Sequence, residues 1–263
     1  MVTSVTFSYR SLQFAKKNYY HMFIDCLKPL YSYMGLNNLN EHQIVIYCSL
    51  GSDFDNKIRE LGFQIKSIEE APVDSIEVCK YQYKDYMPLI QKMNIFIKPL
   101  QTKEKILIII RASKRILLNH NELLIRLHEF FKERYDIEEA SFDNKTLKEQ
   151  IDIMQNCKIL IGAHGAGFTN MLFLNENTHV IEMFPESFYI NCYEIIAKHK
   201  KLHHHILHGK DLIKPHISLD EFTSLVNEGK MWNPTNPYVS QLRDLKGFSV
   251  NIDDVVKLIN TIA

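Results

Sequence analysis

The residues best placed to do chemistry lie in residues 158–170, which read K-I-L-I-G-A-H-G-A-G-F-T-N. Residues 158–161 predict a short buried strand, three glycines interrupt it, and Thr169 continues as a helix. A glycine turn between a strand and a helix presents backbone N–H groups beside the positive end of the helix dipole, which suits a phosphate. His164 lies inside this turn and would add a side-chain donor or a proton.

The same letters also fit an ordinary tight turn with a solvent-facing histidine. The turn lacks the G-K-[ST] of a Walker loop and the spacing of G-x-G-x-x-G, so neither of those nucleotide motifs is present. The turn alone therefore leaves both interpretations open.

Three charged residues are expected at the same edge of a sheet as this turn. Arg111 and Arg115 follow the apolar run 105–110, and Glu182 lies near the end of the run 178–183. Both runs predict buried parallel strands, and ligands bind at the carboxyl ends of such strands. Cations and N–H groups suit a diphosphate, and a carboxylate suits ribose hydroxyls. Solvated charges at these positions are the alternative.

A second pair of candidate residues lies near the amino terminus. The apolar spacing of residues 18–34 predicts an amphipathic helix that Pro29 kinks or divides. His21 and Asp25 are four residues apart and therefore share a face of this helix. They form a candidate proton acceptor and its neighbour, or else a hydrogen-bonded helix histidine and an exposed carboxylate.

The elements that must position these residues alternate along the chain. Strands at 43–48 and 63–68 flank a helix at 52–61, which indicates a small β-α-β unit. From residue 105 onward the alternation predicts a doubly wound parallel sheet, with helices on both faces and residues 158–161 at its centre. The predicted strands there are 105–110, 135–140, 158–161, 178–183 and 203–207. The predicted helices are 119–134, 146–156 and 189–200, and a terminal helix spans 253–262.

Composition narrows the class of protein. The 263 residues are 46% hydrophobic, and 31 basic residues balance 31 acidic ones, so net charge gives no reason to expect nucleic acid or an acidic membrane as partner. No apolar run has the length of a membrane span, and the first residues lack a signal-peptide core. The five cysteines are scattered without a C-x-x-C pair. We therefore expect a cytoplasmic protein without disulfides.

The histidine-rich run invites a metal site, but its geometry argues against one. His203, His204 and His205 are adjacent on a predicted strand and must point to alternate sides.

Asn119 is expected to cap the predicted helix 119–134, with Glu122 in its first turn. The segment 230–238, with its tryptophan and two prolines, reads as a connector.

An ordered set of motifs resembles glycosyltransferase family 61. H-G-A-G-F-T-N is followed by V-I-E-M-F-P at 180–185, and R-A-S-K-R-I-L-L-N at 111–119 matches an R-x-x-x-R-x-[IL]-x-N pattern. L-K-E-Q-I at 147–151 and N-Y-Y-H-M-F-I-D at 18–25 match two further family motifs. The resemblance covers about residues 18–208.

This resemblance implies an α/β, GT-B-like fold with two Rossmann-like domains built on parallel sheets. It implies an acceptor-side domain over 1–100, a donor domain over 101–232, and a connector and terminal helix over 233–263. The sequence departs from the family at the front, where the amino-terminal domain is expected to be reduced and to lack an initial strand. The resemblance also implies transfer with inversion from a nucleotide sugar, UDP-linked, to a hydroxyl of a glycan or protein acceptor. No metal or other cofactor is implied, because D-F-D at 53–55 fits a helix start better than a donor metal site.

The resemblance also assigns roles to residues. His21 is the first choice for the base that deprotonates the acceptor, and Asp25 is the second. The implied donor-binding residues are Arg111, Arg115, His164, Gly165, Ala166, Gly167, Asn170 and Glu182. A non-catalytic nucleotide- or glycan-binding module of the same fold is the rival hypothesis, and a plain α/β scaffold is a third.

Overall fold

The computed structural model describes residues 2–15, 18–48, 52–78, 85–100, 103–212, 218–227 and 245–262. The chain divides into two compact units. The first comprises residues 1–97, 142–155 and 169–173, and the second comprises 98–141, 156–168 and 174–263. The predicted connector at 230–238 lies outside the described residues.

The elements of the described residues follow in chain order. The strands are β1 (Thr3–Thr6), β2 (Ile44–Cys48), β3 (Gln64–Ser67), β4 (Ile76–Glu77), β5 (Lys105–Ile109), β6 (Ile116–Leu117), β7 (Asp136–Ala140), β8 (Cys157–Ala163), β9 (His179–Pro185), β10 (His203–Asp211) and β11 (Gly247–Ser249). The α-helices are α1 (Tyr9–Ala15), α2 (Tyr19–His21), α3 (Lys28–Leu36), α4 (Ser52–Glu60), α5 (Met87–Asn94), α6 (His120–Phe131), α7 (Leu147–Met154), α8 (Cys192–Lys200), α9 (Leu219–Asn227) and α10 (Ile252–Ile262). A π-helix spans Met22–Leu27, and 3₁₀ helices span Glu41–Gln43, Ile68–Glu70 and Ala166–Phe173.

The first unit contains a parallel sheet with the strand order β3-β2-β1-β4. Strand β2 is buried along its whole length, as its unbroken apolar run predicts. The expectation that this unit lacks an initial strand is wrong, because β1 pairs with β2 from Thr3 to Thr6. Only Val5 of β1 is fully buried, so the strand leaves almost no hydrophobic pattern in the sequence.

The helix predicted over residues 18–34 changes its winding ahead of Pro29, where the sequence predicts a break. Asn18 caps it by accepting a hydrogen bond from the amide of Tyr20. The chain then passes from α2 through the π-helix into α3, and Pro29 lies in the first turn of α3. Proline has no N–H and its ring clashes with the preceding turn, so a wider π-turn ahead of it accommodates both constraints.

The second unit contains a sheet with the strand order β6-β11-β10-β9-β8-β5-β7. Strands β10, β9, β8, β5 and β7 are parallel to one another, and β11 joins β10 in antiparallel pairing. The predicted parallel sheet with residues 158–161 between two parallel neighbours is therefore confirmed. With two units built on parallel sheets, the predicted α/β, GT-B-like fold class is also confirmed.

Helices cover both faces of the second sheet. On one face, Ile106, Ile159 and Ile181 pack in a core with the buried residues of α6 and α10. On the other face, Tyr193 of α8 lies against the rings of His164 and Phe168. Alternation along each strand thus separates an apolar core from a face that carries polar residues.

Two predicted helix starts have different outcomes. Thr146 and Glu149 form the predicted capping box at the start of α7. Asn119 occupies the N-cap position of α6, but its side chain makes no capping bond. Its amide instead donates to the carbonyl of Val250 and accepts from the Val250 amide. The predicted N-cap position of Asn119 is therefore confirmed, but its side chain joins α6 to the segment after β11 instead of capping the helix.

None of the helices in the described residues combines the length and apolar character that crossing a bilayer requires. The described cysteines, Cys26, Cys48, Cys157 and Cys192, are free thiols.

The capping box gives a direct test of the local structure. Replacing Thr146 with alanine removes the acceptor for the Glu149 amide and should lower the free energy of unfolding by about 0.5–2 kcal/mol. Thr146→Ser keeps the hydroxyl and should stay near wild type. Urea denaturation of the three proteins provides the measurement. Equal stability of the alanine and serine variants would contradict the assigned cap.

Candidate functional site

The glycine turn lies directly after β8 and is held to the neighbouring strand. The amide of His164 donates to the carbonyl of Met183 in β9 at 2.9 Å, and the Phe168 amide donates to Gly165 O at 3.0 Å. A helix follows, as predicted, but it is a 3₁₀ helix that begins at Ala166, three residues before Thr169. The turn therefore lies at the carboxyl edge of the sheet, where ligands bind in folds of this class.

Arg111 occupies the space beside Gly165. A Cβ atom on Gly165 would lie 1.3 Å from Nη1 of Arg111, so any side chain there must displace the guanidinium. The Nε of Arg111 donates to the carbonyl of Lys114 at 2.8 Å, which holds the arginine in its own loop. The φ angle of Gly165 is not in the left-handed region, so the turn requires the missing side chain rather than a special backbone conformation.

Arg115 is fixed from three directions. Its Nε donates to the carbonyl of His164 at 3.2 Å, and its guanidinium carbon lies 5.0 Å from the centre of the Phe188 ring. Its backbone amide donates to Leu245 O at 2.7 Å, and its φ angle is +54°. A non-glycine residue in this region is strained, and such strain clusters at functional sites. Both predicted arginines therefore lie against the predicted turn.

His164 is buried, with 6% of its surface exposed, and its ring has a defined orientation. Nδ1 lies 2.5 Å from Oε1 of Glu182, and the ring stacks on Phe184 at 4.8 Å between centroids. Burial lowers the pKa of His164, the two nearby arginines act in the same direction, and Glu182 opposes them. The ring is therefore neutral with its proton on Nδ1, which leaves Nε2 as a hydrogen-bond acceptor. Within the described residues Nε2 has no hydrogen-bond partner.

Glu182 has no exposed surface and lies within β9, which continues three residues further to Pro185. Its second oxygen, Oε2, lies 2.8 Å from Nε2 of His204 in β10. Burial raises the pKa of Glu182, but the hydrogen bonds from the two imidazoles outweigh it, and the pKa lies below its usual value. Both oxygens of this carboxylate are thus engaged by histidines, and the ribose contact implied for Glu182 stays a prediction.

Sequence reasoning missed several residues near the predicted set. The sequence singles out His204 only as part of a histidine-rich run, although the register of β9 and β10 places it on the same sheet face as Glu182. Phe188, below Arg115, had no assigned role. Asp211 ends β10, where Ser187 donates a hydrogen bond to its Oδ2, and its Oδ1 is buried without a partner in the described part of the chain.

The remaining histidines of the run lie on the opposite face, as the strand alternation predicts. The ring of His179 stacks against those of His203 and His205, with 3.0 Å between His179 Nδ1 and His205 Nε2. Burial, with help from these neighbours and Lys158, lowers the pKa of His179 to about 4. In the described ranges no three His, Cys, Asp or Glu side chains are grouped so that they could hold a metal ion.

The predicted base residues belong to the first unit. Nδ1 of His21 lies 2.7 Å from Oδ2 of Asp25, so the two predicted candidates form one hydrogen-bonded pair. Their side chains are 22% and 37% exposed. Asn170, also in the first unit, is buried and accepts from the Tyr19 hydroxyl while it donates to Gln150. The donor contact implied for Asn170 stays a prediction.

The stacked histidines give a prediction about acid stability. The pKa of His179 in the folded protein is about 4, and that of an unfolded histidine is about 6.5, so between these values the unfolded chain binds more protons. Stability should therefore fall as the pH drops from about 6.5 to 4. His179→Gln should lose part of this decline in melting temperature, whereas the exposed control His128→Gln should follow wild type. An unchanged slope in the His179 variant would contradict this origin.

Comparison with known proteins identifies the family of this chain. The model of the family described as glycosyltransferase 61 matches residues 19–181. An EGF domain-specific O-linked N-acetylglucosamine transferase of Drosophila melanogaster is 32% identical over 132 residues, which is 48% of this chain and 24% of that protein. A β-1,2-xylosyltransferase of Arabidopsis thaliana is 30% identical over 82 residues, 31% of this chain and 15% of its own length.

One further relative and one solved structure complete the comparison. A protein O-linked-mannose β-1,4-N-acetylglucosaminyltransferase 2 of Danio rerio is 36% identical over 78 residues, covering 28% of this chain and 13% of that protein. The chain thus spans a quarter or less of the length of these three curated relatives. The solved iron-containing heptosyltransferase TibC, in complex with ADP-D-β-D-heptose, aligns with 99% of this chain and 76% of its own at a TM-score of 0.48 and 9% identity, too distant to carry an argument. Because the family model covers well over half of the sequence, this chain belongs to glycosyltransferase family 61.

Proposed function

We propose that this protein is an inverting glycosyltransferase that moves a sugar from a nucleotide-sugar donor to a hydroxyl group of a glycan or protein acceptor. The observation that carries the proposal is the pair of arginines fixed on the glycine turn at the carboxyl edge of the second sheet. Arg111 lies on Gly165, and Arg115 donates to the carbonyl of His164. Two guanidinium groups beside a turn suit a diphosphate, which carries two negatively charged phosphates.

The donor proposed for this site is a UDP-linked sugar. Relatives are named as N-acetylglucosamine and xylose transferases, so UDP-N-acetylglucosamine and UDP-xylose are the first donors to test. Arg111, Arg115 and the amides of the turn would bind the diphosphate and stabilise the charge that develops on it as it leaves. We propose that the reaction needs no bound metal. A cytoplasmic location also stays a prediction.

The proposed base is His21, positioned by Asp25. Asp25 accepts from Nδ1 of His21, which leaves Nε2 as the acceptor for a proton. As the acceptor oxygen attacks the anomeric carbon, its proton passes to Nε2 and the bond to the nucleoside diphosphate breaks. Attack from the side opposite the leaving group inverts the anomeric configuration.

The rival function is a binding module that keeps the nucleotide site and does not catalyse transfer. The Arg111–Arg115–His164 constellation supports both functions, and the His21–Asp25 pair favours the enzyme. Release of UDP from a UDP-sugar in the presence of candidate acceptors supports the transferase. Tight binding without UDP release supports the module, and no nucleotide binding supports a scaffold protein.

The contact between Gly165 and Arg111 gives the sharpest test of the donor site. Arg111→Ala should weaken UDP-sugar binding by about 1–3 kcal/mol, the range for a charge-assisted hydrogen bond. Gly165→Ala should weaken it by a similar amount, because the new methyl group displaces the guanidinium. The double variant should bind no more weakly than Arg111→Ala alone, since the displaced group is then absent. Isothermal titration calorimetry measures all four corners of this double-mutant cycle.

Two results would contradict the assignment. If the two effects add in the double variant, Gly165 acts independently of Arg111. If all four proteins bind UDP with equal affinity, the arginine lies outside the donor site. Melting curves of the same proteins separate either result from a loss of folding.

The proposed base makes a prediction about turnover. His21→Gln should lower kcat by about 10²–10⁴-fold, the contribution of a positioned general base, while the affinity for UDP stays unchanged. His42→Gln is the matched control, since His42 is an exposed histidine of the same unit. A His21→Gln enzyme with normal kcat would place the base elsewhere.

A further inference from the structure

We propose that His204 is a positioning residue of the donor site, which acts through Glu182 to hold His164 in one tautomer and one orientation. The proposal rests on the proposed function, because it takes the turn at His164 as the donor site. Nothing in the motifs that resemble the family includes residue 204. The contact emerges from the register of β9 and β10, in which His204 lies opposite Val180, two residues before Glu182.

The three side chains form a continuous buried relay. His164 Nδ1 lies 2.5 Å from Glu182 Oε1, and His204 Nε2 lies 2.8 Å from Glu182 Oε2. The three side chains are 7%, 1% and 8% exposed. A buried carboxylate with so little access to water needs donors for both oxygens, and here each oxygen has one imidazole N–H.

The ionised state of Glu182 fixes the direction of both hydrogen bonds in this relay. Glu182 is ionised, because its two imidazole donors hold its pKa below the usual value. An ionised carboxylate only accepts, so the protons lie on Nδ1 of His164 and on Nε2 of His204. His164 then presents Nε2 as an acceptor and cannot donate to a phosphate while it is neutral. His164 would therefore accept a hydrogen bond from a hydroxyl of the bound donor.

The charged and titratable groups around the relay come from several elements. They are Arg111 and Arg115 from the loop after β5, Tyr189 before α8, Cys192 and Tyr193 in α8, and His208 in β10. The two arginines disfavour a proton on His164, and Glu182 favours one. His204 also acts on this balance, but it does so through Glu182: its hydrogen bond to Oε2 stabilises the anionic form of the carboxylate.

Removing the His204 donor should change the protonation of His164. With only one donor left, the Glu182 carboxylate is less stable as an anion, and the His164–Glu182 pair takes up a proton more readily. The titration midpoint of this pair should rise by about one to two pH units, the equivalent of one hydrogen bond to a charged group. The acid limb of the pH–rate profile should move upward by the same amount.

The experiment compares three variants with wild type. His204→Phe keeps the ring volume and removes the donor. His204→Gln keeps an N–H donor and should restore much of the wild-type behaviour. His203→Phe is the matched control, because the neighbouring ring lies on the opposite face against His179. Histidine-selective ¹⁵N NMR of the unliganded proteins reports the tautomer and titration midpoint of His164, and a melting curve of each variant checks folding.

The second readout is release of UDP from UDP-N-acetylglucosamine and from UDP-xylose as a function of pH. An upward shift of the midpoint and of the acid limb in His204→Phe, absent in His203→Phe, supports the proposal. An unchanged His164 tautomer and midpoint in His204→Phe overturns it. If His204→Phe does not fold, the glutamine variant decides through the same spectra, and a midpoint far from wild type there overturns the donor role.

The two readouts keep the relay and the function apart. If the wild-type protein does not bind either UDP-sugar and releases no UDP from it, the proposed function fails. The NMR titration then still decides whether His204 controls the protonation of His164. If the NMR midpoint shifts but the pH–rate profile does not, the relay exists without a role in the reaction, and the positioning proposal is wrong.

Discussion

The ionised carboxylate of Glu182, buried inside a parallel sheet, is the constraint on which the candidate site depends. An isolated charge in such surroundings is costly, and removing one partner of a buried ion pair commonly costs 3–5 kcal/mol. Both oxygens must therefore be matched by donors, and the donors come from the turn after β8 and from β10. Gly162 pairs with Glu182 on one side and Ile206 on the other, so this register brings His164 and His204 to the same carboxylate.

The turn beside this carboxylate is shaped by space rather than by backbone conformation. The absence of a side chain at Gly165 leaves room for the guanidinium of Arg111. The strained residue of the site is Arg115, whose φ of +54° is held by its hydrogen bonds and its contact with Phe188. Strain of this kind persists only where surrounding contacts impose it. The loop thus holds two cations against one turn, and a bound anion would offset the repulsion between them.

Sequence reasoning captured the sheet and the arginines but not the contacts between strands. Apolar runs predict buried strands because hydrophobic periodicity is a local property, and β8 and β9 are recognisable in this way. Strand β1 was missed because only Val5 in it is fully buried. The partner of Glu182 in β10 depends on strand register. The partner of Asn119 is Val250, more than a hundred positions away. A single sequence gives no measure of either. For His204, the alternation of the strand predicts which face of the sheet it lies on but not that its side chain contacts Glu182 there.

Histidine–carboxylate pairs occur in both units, and the surroundings of the His21–Asp25 and His164–Glu182 pairs suit different tasks. A general base must accept a proton in each turnover and release it to water before the next, so it needs access to solvent. The His21–Asp25 pair has that access, with 22% and 37% of the side chains exposed. The His164–Glu182 pair is almost wholly buried, and its second oxygen is occupied by His204. Both carboxylate oxygens there are already engaged, and burial disfavours the charged imidazole. The buried pair is therefore suited to hold a fixed hydrogen-bond acceptor, and the exposed pair to exchange protons.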